Sequence, residues 1–423
     1  MSVAIRALKR TDFVDWYRAN RKRSSMLFDM LSADAYDSRP IPLRHPVRFY
    51  EGHLPAFSYI TLVRGALGAP AMDDAMEKLF QRGIDPASAT AAQSSAPAAW
   101  PARERVQELA RRWDAEVLAA LSRAQAESGA LSPRVREAVY TVLEHEQMHH
   151  ETLLYMLHRV PLDHKHRPAG TGGTPADGPL PKAQRIHVPA GVATLGANPE
   201  DVDFGWDNEF RATQVEVAAF DVDAHSVTNA DYLKFVESGG EPPLFWIRRD
   251  DRWQQLAMFE EIALPAAWPV YVSLEQAKAY AQWRGARLLS EPEFQRAAFG
   301  APDGAERSYP WGEEPFSPKR GNLDFQYWDP VPAGSYPAGV SAWGIHDLVG
   351  NGWEWTSTPF GPLPGFEPMV SYPVYSNDFF DGDHFVVKGG SAVTARDLVR
   401  RSLRNWYRPS YPYIYAKFRL VSN

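Results

Sequence analysis

Four stretches before residue 161 repeat apolar residues every three to four positions, the spacing that gives a helix one core-facing side. TDFVDWYRANRKRSSMLFDML, Thr11 to Leu31, does so through Phe13, Trp16, Tyr17, Leu27 and Leu31. RFYEGHLPAFSYITLVRGAL does so through Phe49, His53, Phe57 and Ile60, and reads as a helix despite Pro55. Ala102 to Ala126, rich in Ala, Arg, Glu and Leu, is the third. The fourth, Pro133 to Val160, follows a good N-cap, Ser132, and contains no Gly and no further Pro. Its Val135, Val139, Val142, Leu143, Leu153, Leu154 and Met156 cover a core side. Four helices of this size predict a bundle, and bundles build metal sites from side chains on facing helices.

The texture then changes. HKHRPAGTGGTPADGPLPKAQ, residues 164–184, is rich in Gly, Pro and Thr and has little to bury, as expected of a linker. RIHVPAGVATLG, TQVEVAAFDVDAHSVT and PVYVSLEQA alternate, with β-branched residues and turns, and LEQAKAYAQWRGA reads as a helix. YPWGEEP, GIHDLVGNGWEWTSTPF, VVKGGSAV and AKFRLV follow as short strands between Gly and Pro turns. The expected fold class is therefore α plus α+β: a helical bundle over residues 1–163 and a loop-rich mixed domain over 185–423.

Composition narrows the chemistry. With 423 residues the chain is long enough for two or three domains. It has no cysteine, which excludes disulfides, thiolate metal sites, iron–sulfur clusters and a cysteine nucleophile. A net charge of -7 gives no reason to expect nucleic acid or an acidic membrane surface as partner. No apolar h-region opens the sequence and no stretch approaches a membrane span, so a soluble cytoplasmic protein is expected.

The candidate chemistry lies in TVLEHEQMHHETLLYM, residues 141–156. His145 and His149 stand four apart, which on a helix puts both imidazoles on one face. HEQMH also matches H-E-x-x-H, in which Glu146 would be the general base of a zinc metalloprotease. The pattern is short, so zinc hydrolase, another metal enzyme and an accidental pair all stay open on these residues alone. His150 is turned about 100° from His149 and is expected at the surface or behind the ligands.

HEQMHHE, with FYEGH far upstream and GNGWEWTSTP, KGGS and RNW downstream, resembles the sulfoxide synthases of ergothioneine biosynthesis and their relatives that make selenoneine. The resemblance covers nearly the whole chain. It implies a DinB-like four-helix bundle followed by a C-type-lectin-like, formylglycine-generating-enzyme-like domain. It implies Fe(2+) held by His53, His145 and His149, with Glu146 and Glu151 behind the histidines as orienting partners. A carboxylate ligand from Glu144, Glu146 or Glu151 stays open. The implied substrates are hercynine, O₂ and a selenosugar or thiol, with Asn405, Trp406 and Met148 as hercynine-binding residues. Met148 departs from the family, whose better-known members have glutamine there.

Two further departures bear on the second substrate. Members using γ-glutamylcysteine carry Asp directly after Asn-Trp and Arg four residues later, a pair suited to an amino acid's two charges. This chain has Tyr407 and Tyr411, with Tyr413 and Tyr415 nearby. Tyrosines suit a sugar's C–H face and hydroxyls, so the expected donor is 1-seleno-glucose, with cysteine or another thiol as the alternative. Where sulfoxide-forming members keep a tyrosine that supplies a proton or electron, this chain is expected to have Leu363. Three other readings compete. A zinc hydrolase predicts H-x-x-G-x-x-H, which is absent after His149; a sulfatase-activating enzyme requires cysteines; a non-catalytic binding module would not need the metal.

Overall fold

A computed structural model describes residues 12–81, 100–127 and 129–422. They divide into two compact units. One takes in Arg10–Gly170 together with Met369–Pro373; the other takes in Thr171–Pro368 and Val374–Asn423.

The first unit is helical: α1 (Phe13–Asp29), α2 (Ala33–Tyr36), α3 (Val47–Ser58), α4 (Asp74–Phe80), α5 (Arg103–Ala126) and α6 (Pro133–Arg159). Thr11, the expected start of the first helix, lies outside the described residues. α1 and α6 start where their sequences say they should. Asp12 caps α1 by accepting from the Asp15 N–H at 3.0 Å, and Ser132 caps α6 by accepting from Val135. On α1 the buried positions are Phe13, Trp16, Tyr17, Asn20, Ser24, Leu27 and Phe28, one stripe at helical spacing. It packs on α5 and α6, and α3 packs on the same two helices, which completes a four-helix bundle.

One helix departs from expectation. Pro55 lies inside α3 and has no N–H for the carbonyl one turn back, and from Tyr59 to Ala66 the chain runs on as a π-helix. The stretch expected as one regular helix thus changes pitch. At the other end of the bundle, buried Lys165 donates through Nζ to the carbonyls of Leu157 at 2.8 Å and His158 at 3.0 Å, closing the C-terminus of α6.

The second unit is built on strands. β1 (Arg185–Val188), β4 (Phe220–Asp223), β13 (Leu420–Ser422) and β8 (Ala286–Leu288) form one sheet in that spatial order. β11 (Asn405–Tyr407), β10 (Phe385–Lys388), β9 (Trp353–Pro359) and β12 (Ala416–Lys417) form another, in which β12 runs parallel to β9. β2 (Gly191–Leu195) and β3 (Thr213–Val217) make a hairpin, and β5 (Trp246–Arg249), β6 (Arg252–Leu256) and β7 (Glu261–Ala263) a small antiparallel sheet. Three helices, α7 (Asn229–Glu237), α8 (Leu274–Trp283) and α9 (Glu291–Phe299), accompany them. Ser273 with Gln276 and Ser290 with Glu293 form capping boxes on α8 and α9. PVYVS, expected as a strand, forms none; it holds the isolated bridge between Pro269 and Thr228, and the Val270 and Val272 N–H groups donate to the carbonyls of Val227 and Ala416.

An apolar cluster including Val188, Phe220, Val222, Phe294, Ile345, Leu348 and Val421 fills this unit. Beside it, GNGWEW sends Glu354 inward. The fully buried carboxylate takes Lys417 Nζ at 3.0 Å and Arg419 at 2.8 and 3.1 Å, so three charges share one dry site. Among the described residues no helix is long and apolar enough to cross a membrane.

Candidate metal centre

α6 presents His145 and His149 one turn apart, and α3 brings His53 to them. The Nε2 atoms of His53 and His149 are 3.2 Å apart, and those of His149 and His145 3.1 Å. The ligand atoms of all three lie within 4.8 Å of one another, and among the described residues no other group of His, Asp or Glu is so placed.

Their orientation comes from the surroundings. The Nδ1–H of His53 donates to the carbonyl oxygen of Phe80 at 2.6 Å, which fixes the tautomer and leaves Nε2 bare. His149 Nδ1 lies 3.3 Å from the Thr152 hydroxyl. His145 stacks on Phe57, centroids 3.5 Å apart and planes 12° from parallel, and Phe49 stacks on His53 at 5.1 Å. Burial lowers the pKa of His53 to about 4 and holds His145 and His149 well below the ordinary histidine value, with the neighbouring rings adding to the effect on each. The three imidazoles are therefore neutral donors at neutral pH.

Neutral lone pairs converging at this spacing repel one another unless a cation lies between them. A metal about 2.1 Å from two ligands at right angles sets their nitrogens about 3.0 Å apart, close to the observed separations. Imidazole donors suit iron, zinc, copper or nickel. The residues present thus fit a metal ion bound through three histidines.

Glu146, expected behind the histidines, makes its polar contacts with α1 rather than with a ligand ring. Its carboxylate faces α1, where it takes Ser24 Oγ at 2.5 Å and Arg21 Nη1 at 2.8 Å. That engagement also removes it from the general-base position of a zinc hydrolase. Glu151 accepts from the Tyr155 hydroxyl at 2.5 Å. His150 is not at the surface but fully buried, its Nε2 2.9 Å from the same Ser24 hydroxyl. Met148 is half-buried on α6.

One neighbour of the ligands escaped the sequence reading. The ring of Tyr372 stands 5.1 Å from Phe57 and 6.1 Å from His145. Its segment, Met369–Pro373, is pinned to α6: the Ser371 N–H donates to Glu137 at 2.6 Å and the Ser371 and Thr141 hydroxyls are 2.8 Å apart. Leu363 is buried in the other unit.

In the strand-built unit, Asn405, Trp406 and Tyr407 are the three residues of β11. Trp406 stacks on Phe360 at 4.2 Å and 9°, with Tyr375 at 5.2 Å and Phe379 at 5.4 Å. Arg404 stands 5.1 Å over Phe360 and forms a bidentate pair with Glu291 at 2.8 and 3.1 Å. Tyr407 and Tyr411 are buried and stacked on each other at 5.5 Å and 17°, so each has one face occupied by the other. Tyr413 meets Tyr411 at 5.0 Å, and Tyr415 stacks on Tyr271.

Residues 17–153 match the DinB superfamily, and residues 173–423 match the sulfatase-modifying factor enzyme 1-like domain. A hercynine oxygenase of Mycobacterium tuberculosis is 36% identical over 66% of this chain and 70% of its own. One from Mycolicibacterium thermoresistibile is 33% identical over 95% of this chain and 92% of its own. Ergothioneine biosynthesis protein 1 of Neurospora crassa is 29% identical over 93% of this chain and 55% of its own. By its domain order and by the reach of these similarities, the chain belongs to the hercynine oxygenase family.

Proposed function

We propose that the protein is a ferrous-iron, O₂-dependent enzyme that joins the imidazole C2 of hercynine to the selenium of 1-seleno-glucose. The convergence of the Nε2 atoms of His53, His145 and His149 is the observation that carries this reading. Iron in that position supplies the one-electron chemistry that lets ground-state O₂ react. With no carboxylate in the group, the histidines leave the ion its full charge, which favours an anionic selenolate or thiolate as further ligand. In the overall balance the C2–H and Se–H hydrogens leave with one oxygen atom as water, and the other oxygen remains on selenium.

Asn405, Trp406 and Met148 are the residues we assign to hercynine. A trimethylammonium group has no N–H to donate, and the aromatic surroundings of Trp406 suit it. Tyr407 and Tyr411, uncharged where an amino-acid donor would want a charged pair, are assigned to the selenosugar. Tyr372, beside His145, is the side chain we assign to proton delivery in place of Leu363.

The alternative is a sulfoxide synthase that joins hercynine to cysteine or another thiol. Iron-loaded protein given hercynine, O₂ and, in turn, 1-seleno-glucose, cysteine and γ-glutamylcysteine separates the two by product mass. A hercynine–selenosugar adduct is expected. An adduct with cysteine alone moves the assignment to the alternative, and O₂ uptake that ignores hercynine and iron overturns both.

A further inference from the structure

Each ligand on α6 is followed by a buried polar residue: Glu146 after His145 and His150 after His149. One residue along a helix is about 100° around it, so these two side chains form a second stripe that looks away from the ligand face. Both end on a single atom. Ser24 Oγ donates to Glu146 Oε1 at 2.5 Å and lies 2.9 Å from His150 Nε2. A hydroxyl can give its proton to the carboxylate while accepting from the imidazole N–H, so both contacts are satisfied at once.

The contact is braced along α1. Arg21, three residues before Ser24, reaches the same Glu146 oxygen at 2.8 Å and Asp114 of α5 at 3.1 Å, and Tyr17 donates to Asp114 at 2.7 Å. Asn20 donates to the Leu143 carbonyl of α6 at 2.8 Å. Ser24, Glu146 and His150 are all almost completely buried, where lost polar contacts are costly. Apolar packing alone tolerates a helix rolling by a few degrees about its axis; hydrogen bonds of this length from two successive turns to one fixed atom do not.

We propose that Ser24 is a positioning residue that sets the rotation of α6, and so aims His145 and His149 at a shared metal ion with His53. The glutamate of the HEQMH motif then serves helix orientation and takes no part in proton transfer. This inference rests on the metal-binding reading above.

The test uses Co(II) as a spectroscopic probe, with affinity by equilibrium dialysis and the visible ligand-field spectrum as readouts at a temperature well below unfolding. Ser24→Ala is expected to weaken Co(II) binding about tenfold or more and to change the spectrum, as loss of partners that orient ligands does elsewhere. Glu146→Gln, which keeps the shape but loses the charge that holds the Ser24 hydroxyl, should bind Co(II) more weakly than the unaltered chain though more tightly than Ser24→Ala. If the serine variant does not fold, affinity and spectrum of Glu146→Gln equal to those of the unaltered chain overturn the proposal. Ser24→Ala with lowered thermal stability but unchanged affinity and spectrum overturns the proposal and leaves the metal site standing. Absence of Co(II) binding by the unaltered chain overturns the metal reading and this inference with it.

Discussion

His53 and Phe80 are joined by a 2.6 Å hydrogen bond from a ring nitrogen to a backbone carbonyl, and Gly52 makes that approach possible. A Cβ on Gly52 would lie 2.5 Å from two atoms of the Phe80 ring. Gly52→Ala should therefore displace Phe80 and loosen His53. Alanine is the better helix former, so α3 should keep its far-UV signal while metal affinity falls about tenfold to a hundredfold by dialysis. Undiminished affinity in that variant would show that the Phe80 carbonyl does not orient the ligand.

A metal held by three side chains of the folded bundle stabilises it by mass action. At a free metal concentration a hundred times Kd the gain is about 2.7 kcal/mol. Melting curves with and without Fe(II) under anaerobic conditions should separate accordingly. His53→Ala or His149→Ala should melt at one temperature in both conditions.

Glu354 balances two buried cations, Lys417 and Arg419. Glu354→Gln strands both, a change that costs about 3–5 kcal/mol in buried pairs. Urea unfolding followed by tryptophan fluorescence should report a loss of that size, and a loss below about 1 kcal/mol would mean that water reaches the site.

His225 and His346 stack with centroids 4.4 Å apart, and burial, then the partner ring and Arg419, lower the pKa of His225 from 6.5 to about 4. The unfolded chain binds a proton there below about pH 6.5, while the folded chain resists it down to about pH 4. Stability from this group is thus intact above pH 6.5 and is lost as pH falls through that window. His225→Gln should flatten the fall in Tm between pH 6.5 and 4.5; an unchanged slope would assign the acid sensitivity to other groups.

The long helices were legible because apolar spacing and the absence of breakers agree along α1, α5 and α6, with side-chain caps on α1 and α6. His53 was legible as a position on an aromatic stripe, although its meeting with His145 and His149 depends on how α3 and α6 pack, which no local pattern states. The direction of Glu146 could have been found from its 100° offset to His145; the motif around it pointed the other way. Tyr372 left no signal, because nothing in SYPVY announces that it docks on a helix far earlier in the chain. PVYVS misled because its alternation was satisfied by single backbone contacts to Val227 and Ala416 rather than by a continuous strand ladder.

Segment Met369–Pro373 carries a further consequence for anyone who would shuffle these modules. A chimera that takes its first 170 residues from one parent and the remainder from another imports a stranger's tyrosine next to His145, however cleanly the fusion point is chosen. Inheritance of the aromatic neighbour follows the later gene segment, so swaps meant to exchange the helical unit must carry those five residues with them.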